Sequence, residues 1–123
     1  MTVFKDSNYN YIEPYTCNVL SCAALKSPKL IDGLIPEYKM KEIYDKIDVM
    51  FSTALSHNNR KLVLGAWGCG AYHCPPKQIA EAFKKMIYSD KFINQFEEIR
   101  FAVWNNPDVI INNYVIFHEV FGE

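Results

Sequence analysis

The chain has 123 residues, of which half are hydrophobic and 15% aromatic, with 13 basic against 14 acidic side chains. This length suits one domain able to bury about two-thirds of the surface its unfolded form exposes, and a 22% charged fraction excludes disordered and collagen-like classes. A formal charge of −1 excludes whole-protein steering toward DNA or an acidic membrane, so neither nucleic acid nor a membrane is an expected partner.

In chain order, Met1-Thr2-Val3-Phe4-Lys5-Asp6 lacks the charged-then-apolar pattern of a secretion signal. No apolar run approaches the roughly 18–20 residues of a membrane-spanning helix, so a soluble, cytoplasmic domain is expected. Val3-Phe4-Lys5 reads as a short strand, pairing with Asn18 to Leu25 (NVLSCAAL) across the turn-rich stretch Asp6 to Pro14. Tyr9, Tyr11 and Tyr15 then cover the exposed face of that hairpin or form a subunit contact. Met40, Ile43, Ile47, Met50, Phe51, Ala54 and Leu55 recur at three- and four-residue spacing, which predicts an amphipathic helix. Pro36 and Glu37 suit its first turn and His57 its negative end.

Lys61 to Trp67 (KLVLGAW) follows as a strand, and Leu62-Val63-Leu64 lacks polar alternation, as expected of a parallel strand covered on both faces. A second helix opens at Pro75-Pro76 and carries Ile79, Phe83, Met86 and Ile87 on one face. A short helical turn over Lys91 to Phe96 leads into a strand at Arg100 to Trp104. Asn112 to Phe121 closes the chain as a helix with Ile116, Phe117, Val120 and Phe121 buried, Gly122 stopping it and His118 on its surface. Strands alternating with helices predict an α/β domain: a mostly parallel sheet of about four strands with helices on both faces, spanning residues 1–123.

Cys17, Cys22, Cys69 and Cys74 form two C-x4-C pairs, with His73 beside the last. Zinc sites more often show a two-residue gap, and Cys22 sits in a small apolar run that reads as buried. No metal, no disulfide and no cofactor is therefore expected.

The chemistry is concentrated in Gly65-Ala66-Trp67-Gly68-Cys69-Gly70-Ala71-Tyr72-His73-Cys74-Pro75-Pro76, where a strand runs through a glycine-rich loop into a helix. Ligands in such sheets bind beyond the carboxyl ends of the strands. Successive glycine-rich N–H groups can surround an anion, and a helix N-terminus adds about 0.3–2 kcal/mol toward negative charge. The first helix answers its own positive end with Glu37, whereas the second opens Pro76-Lys77-Gln78 with no carboxylate. Tight strand–helix packing accounts for the same glycines, and spacing alone does not separate the two readings. No Gly-Lys-Ser/Thr follows, which excludes a P-loop, and no G-x-G-x-x-G occurs.

Leu62 to Pro76, with its LGAWGCG string, resembles the phosphate-loop segment of the microbial poly(ADP-ribose) glycohydrolases, a branch of the macrodomain fold. The resemblance extends upstream to Asn18–Ala24 and Val3–Asp6 and downstream to Phe92–Trp104. It implies a three-layer macrodomain-like architecture and an ADP-ribose-type ligand. It places Gly65, Ala66, Trp67, Gly68, Cys69, Gly70, Ala71, Tyr72 and His73 around a diphosphate and ribose, and Trp104 and Asn105 near the adenosine half. Within that set Trp67 and Tyr72 stack on the ligand or pack in the core, Cys69 is a reactive thiol or fills space, and His73 donates to a phosphate or lies on the surface.

The departure from that family is as informative as the match. Its hydrolases carry a Gly-Gly-Gly loop and a Gln-Glu-Glu motif whose glutamate is the catalytic acid, and the chain has no Gly-Gly-Gly. Gln95-Phe96-Glu97-Glu98 precedes the last strand and follows no glycine loop. Cleaving a glycosidic bond needs a positioned proton donor, so no catalytic residue is expected. The chain matches the later half of the family's domain, and the absent inner strand predicts direct pairing of its neighbours or a homodimer that fills the gap. Three functions compete. They are ADP-ribose binding without cleavage, hydrolysis with an acid supplied by another chain or by Glu13 or Asp32, and a ligand-free assembly scaffold.

Overall fold

The computed structural model describes residues 1–122. The chain runs β1 (Thr2–Lys5), β2 (Tyr11–Thr16), α1 (Glu37–Ser56), β3 (Lys61–Leu64), α2 (Pro76–Ile87), β4 (Glu98–Phe101) and α3 (Asn113–Phe121). The strands form two separate two-stranded sheets, an antiparallel β1–β2 hairpin and a parallel β3–β4 pair. This corrects the expectation of one four-stranded sheet.

Local chemistry explains the difference. The Asp6 carboxylate accepts hydrogen bonds from the backbone amides of Asn8 (2.8 Å) and Asn10 (2.9 Å). Tyr9 takes a φ of +64° there, so the chain reverses within five residues and β1 meets β2 rather than the more distant Asn18–Leu25. Asn18–Leu25 runs without strand partners and is tied to the body by side chains. Asn18 Nδ2 donates to Asn59 Oδ1 at 2.9 Å, Trp67 Nε1 to the Cys22 carbonyl at 2.7 Å, and Cys74 Sγ to the Leu25 carbonyl at 3.2 Å. Of the two outcomes expected at the absent inner strand, direct pairing of this segment with β3 does not form.

The β3–β4 pair carries its apolar side chains on one face. Leu62, Leu64, Ile99 and Phe101 pack toward the core, while Lys61, Val63 and Arg100 are exposed on the other face, Val63 at 74%. The double-sided burial read from Leu62-Val63-Leu64 is therefore corrected, and helices cover one face of this sheet. The Arg60 and Leu64 carbonyls accept from the amides of Glu98 and Ala102, so alternation turns the backbone groups of Lys61 and Val63 to the opposite edge. Among the described residues no strand pairs along that edge.

The helices follow their apolar stripes. α1 buries Met40, Ile43, Ile47, Met50, Phe51 and Ala54, and α2 buries Ile79, Ala80, Ala82 and Phe83. Phe83 sits at the centre, 6.3 Å from Phe51, 6.0 Å from Trp67 and 5.5 Å from Phe101 between ring centroids. α3 lays Phe117 and Phe121 on Phe101, at 5.4 and 4.6 Å. Met86, Ile87, Ile116, Val120 and Phe121 are half-buried at the margin. Gln78, on the first turn of α2, clamps the buried Ile35 at both backbone groups, accepting from its N–H and donating to its C=O at 2.8 Å each.

Candidate functional site

Strand β3 ends at Leu64, and the chain turns at once through Gly65–His73 into α2. Four loop amides are used to shape the turn. Trp67 N donates to Gly65 O, Cys69 N to Ala66 O, His73 N to Gly70 O and Cys74 N to Gly68 O, at 2.8–3.0 Å. The amides of Gly68, Gly70, Ala71 and Tyr72 have no protein acceptor among the described residues. They lie immediately before α2, whose first turn holds no acidic residue and whose N-cap Pro75 supplies no capping side chain. A helix end lacking both features retains its positive partial charge.

Two loop residues show why the sequence is built as it is. Gly68 takes a φ of +75°, and a Cβ there would stand 2.7 Å from Ala24 Cβ and 3.1 Å from Cys74 Sγ. Only glycine fits, so this position is a packing contact between the loop and the Asn18–Leu25 segment. A bulky residue at Gly68 would therefore disturb the fold itself and not a ligand alone. Gly70 is the reverse case, since a Cβ there meets nothing within 4 Å and the backbone takes no positive φ.

The named side chains divide into inward and outward groups. Trp67 is half-buried, with its indole N–H on the Cys22 carbonyl and its ring edge on Phe83, so it is engaged as core. Cys69 is half-buried and donates to the Trp67 carbonyl at 3.4 Å. Burial, with the Cys74 thiol adding to it, pushes the Cys69 thiol up to about 12, far from a reactive thiolate. Burial raises Cys74 as well. Ala66 is half-buried, and Gly65, Gly70, Ala71, Tyr72 and His73 are exposed. Tyr72 offers its carbonyl to Ser27 N at 2.7 Å, and His73 takes a φ of +56°. Beyond β4, Trp104 is 75% exposed and Asn105 Oδ1 accepts from Asn112 Nδ2 at 3.0 Å.

The residue reading missed Asn113, whose Nδ2 donates to the Cys69 carbonyl at 3.3 Å and so joins α3 to the glycine loop. Asn before an apolar run signals a helix start, and Asn112 does cap α3 by accepting from Val115 N at 3.2 Å. Its neighbour's contact across 44 positions carries no local signal.

The loop lies on open surface. A cavity of about 560 Å³ is lined by Phe92, Phe96, Ile99, Phe101, Phe117 and Phe121 among others and includes no residue of Gly65–His73. Among the described residues no three His, Cys, Asp or Glu side chains gather as metal ligands would.

No family model and no curated protein sequence matches the chain. Solved structures do. A variant of poly(ADP-ribose) glycohydrolase from Thermomonospora curvata superposes with a TM-score of 0.85 and 29% identity, covering 98% of this chain and 46% of its own. The same enzyme bound to the inhibitor ADP-HPD gives 0.83 and 28%, over 96% of this chain and 45% of its own. The Deinococcus radiodurans enzyme in complex with ADP-ribose shares the fold at 0.77 and 20%, over 98% and 49%. The chain is thus similar to the microbial poly(ADP-ribose) glycohydrolases almost throughout its length and spans less than half of theirs.

Proposed function

We propose that the chain binds ADP-ribose or a related NAD-derived nucleotide through Gly65–His73, without cleaving it. The observation carrying this reading is the set of unpartnered amides at Gly68, Gly70, Ala71 and Tyr72, directly before an uncapped, acid-free helix start. Such groups stabilise a pyrophosphate by fixed dipoles rather than by cationic side chains. Similarity to enzymes crystallised with ADP-ribose and with ADP-HPD names the ligand class. Trp104, exposed at the exit of β4, offers an aromatic face for the adenine, and Trp67 holds the loop from behind.

The absence of Gly-Gly-Gly and its following Gln-Glu-Glu from these 123 residues supports the reading without cleavage. Glu13 and Asp32 are both exposed, Glu13 on β2 and Asp32 in a turn at φ +51°, and neither carboxylate makes a hydrogen bond to the loop. The hydrolase reading draws on one observation, the half-length match to enzymes, and assigns the acid to a separate polypeptide. A homodimer and a cytoplasmic location belong to the same proposal, the second copy lying along the open edge of β3.

Calorimetry with ADP-ribose tests the binding. A saturable heat with the native chain and its loss in Gly70→Val, at unchanged thermal stability, is the expected result. No heat at millimolar ligand contradicts it. Release of ADP-ribose from a modified protein by the chain alone contradicts the non-cleaving part.

A further inference from the structure

The loop after β4 and the glycine loop are separate stretches of chain, yet both are held by one dipeptide. Asn112 Nδ2 lies 3.0 Å from each of Asn105 Oδ1, the Asn106 carbonyl and the Val109 carbonyl, which folds residues 105–109 back onto the start of α3. Its Oδ1 meanwhile caps α3 through Val115 N. The next residue, Asn113, donates to the Cys69 carbonyl, the centre of the Gly68-Cys69-Gly70 turn. That carbonyl belongs to the peptide unit whose N–H is the Gly70 amide, one of the unpartnered donors. Fixing the carbonyl therefore fixes the direction of the amide on the same plane.

We propose that Asn112 and Asn113 are positioning residues that set the two walls of the nucleotide site against each other, Asn113 aiming the Gly70 amide and Asn112 placing Trp104-Asn105. This rests on the nucleotide-binding reading but is readable without it. Asparagine suits both places because a short amide donates in a fixed direction, and at Asn112 the oxygen also caps the helix. Neither side chain contributes a charge, so both act through geometry.

The variants separate aim from stability. Asn112→Asp keeps the capping oxygen and removes the three Nδ2 contacts. Asn113→Ala removes the donor to Cys69 from the first helical position, where alanine is well tolerated. Amide exchange followed by NMR is the first readout. Asn113→Ala is expected to accelerate exchange at Cys69, His73 and Cys74, whose bonds close the loop, while the core amides of α1 keep native rates. Asn112→Asp is expected to do the same at Val109 only. ADP-ribose affinity is the second readout, with each variant expected to weaken binding about two- to tenfold, the range of one lost neutral hydrogen bond. Unchanged exchange at these amides overturns the proposal. So does native affinity in both variants when the unsubstituted chain binds. If the unsubstituted chain does not bind, the nucleotide reading fails while the exchange rates still decide whether these asparagines hold the loops.

Discussion

At the scale of single residues, two glycines two positions apart have opposite duties. Gly68 combines positive φ with a Cβ position already filled by Ala24 and Cys74. Gly68→Ala should therefore destabilise the chain by about 1–3 kcal/mol, seen as a lower urea midpoint. Gly70 faces open space and makes no such demand. Composition treats the two alike, and Gly68's role was not legible because it depends on Asn18–Leu25 passing behind the loop. The thiol of Cys69 gives a second residue-scale outcome. Pushed up to about 12 by burial, the Cys69 thiol stays protonated near neutral pH, so its alkylation by iodoacetamide in the folded protein should be far slower than after unfolding. Equal rates would contradict its buried, hydrogen-bonded placement.

At the scale of elements, the helices were the legible part. α1 and α2 carry apolar residues at helical spacing, and their stripes end up buried as the periodicity requires. The strands were less legible. Asn18–Leu25 is as apolar as a buried strand, but a strand also needs a neighbouring backbone, which no local pattern encodes. Strand β4 begins two residues before the apolar Arg100–Trp104 run, because its ladder starts where Glu97 and Glu98 amides meet the Arg60 carbonyl. Long-range clamps such as Gln78 on Ile35 were likewise invisible in sequence. Gln78→Ala leaves both backbone groups of a buried residue unpaired, and should cost about 1–3 kcal/mol in urea unfolding. A loss under half that would mean the segment before α1 is held by apolar packing instead.

A tie between α1 and the turn before β4 sets an acid dependence. Lys91 Nζ lies 2.7 and 2.8 Å from the two Asp48 oxygens, and this pairing, aided by Ser52, holds the Asp48 carboxyl below its ordinary value. A folded-state pKa below the unfolded one contributes stability above the unfolded value and loses it as pH falls through the folded one. The urea midpoint should therefore fall as pH drops from about 5 to about 3, and fall less steeply in Lys91→Met. Equal slopes in the two proteins would show that this pair carries none of the dependence.

At the scale of the whole molecule, the chain superposes on less than half of the matched enzymes. Among the described residues one face of the β3–β4 sheet is exposed and no strand pairs along one edge of β3, and the matched enzymes are about twice as long. The glycine loop was legible in the sequence through its place between strand and helix, whereas the asparagines joining it to the loop after β4 were not. A ligand held on such an open loop relies on backbone donors in place of an enclosing cavity. An amide-resolved NMR titration with ADP-ribose puts that claim to its most direct test. Saturable shifts at Gly68, Gly70, Ala71 and Tyr72, with Trp104 moving in step, are the predicted result. Shifts confined to the apolar cavity around Phe92 and Phe117, or none at millimolar ligand, would contradict it.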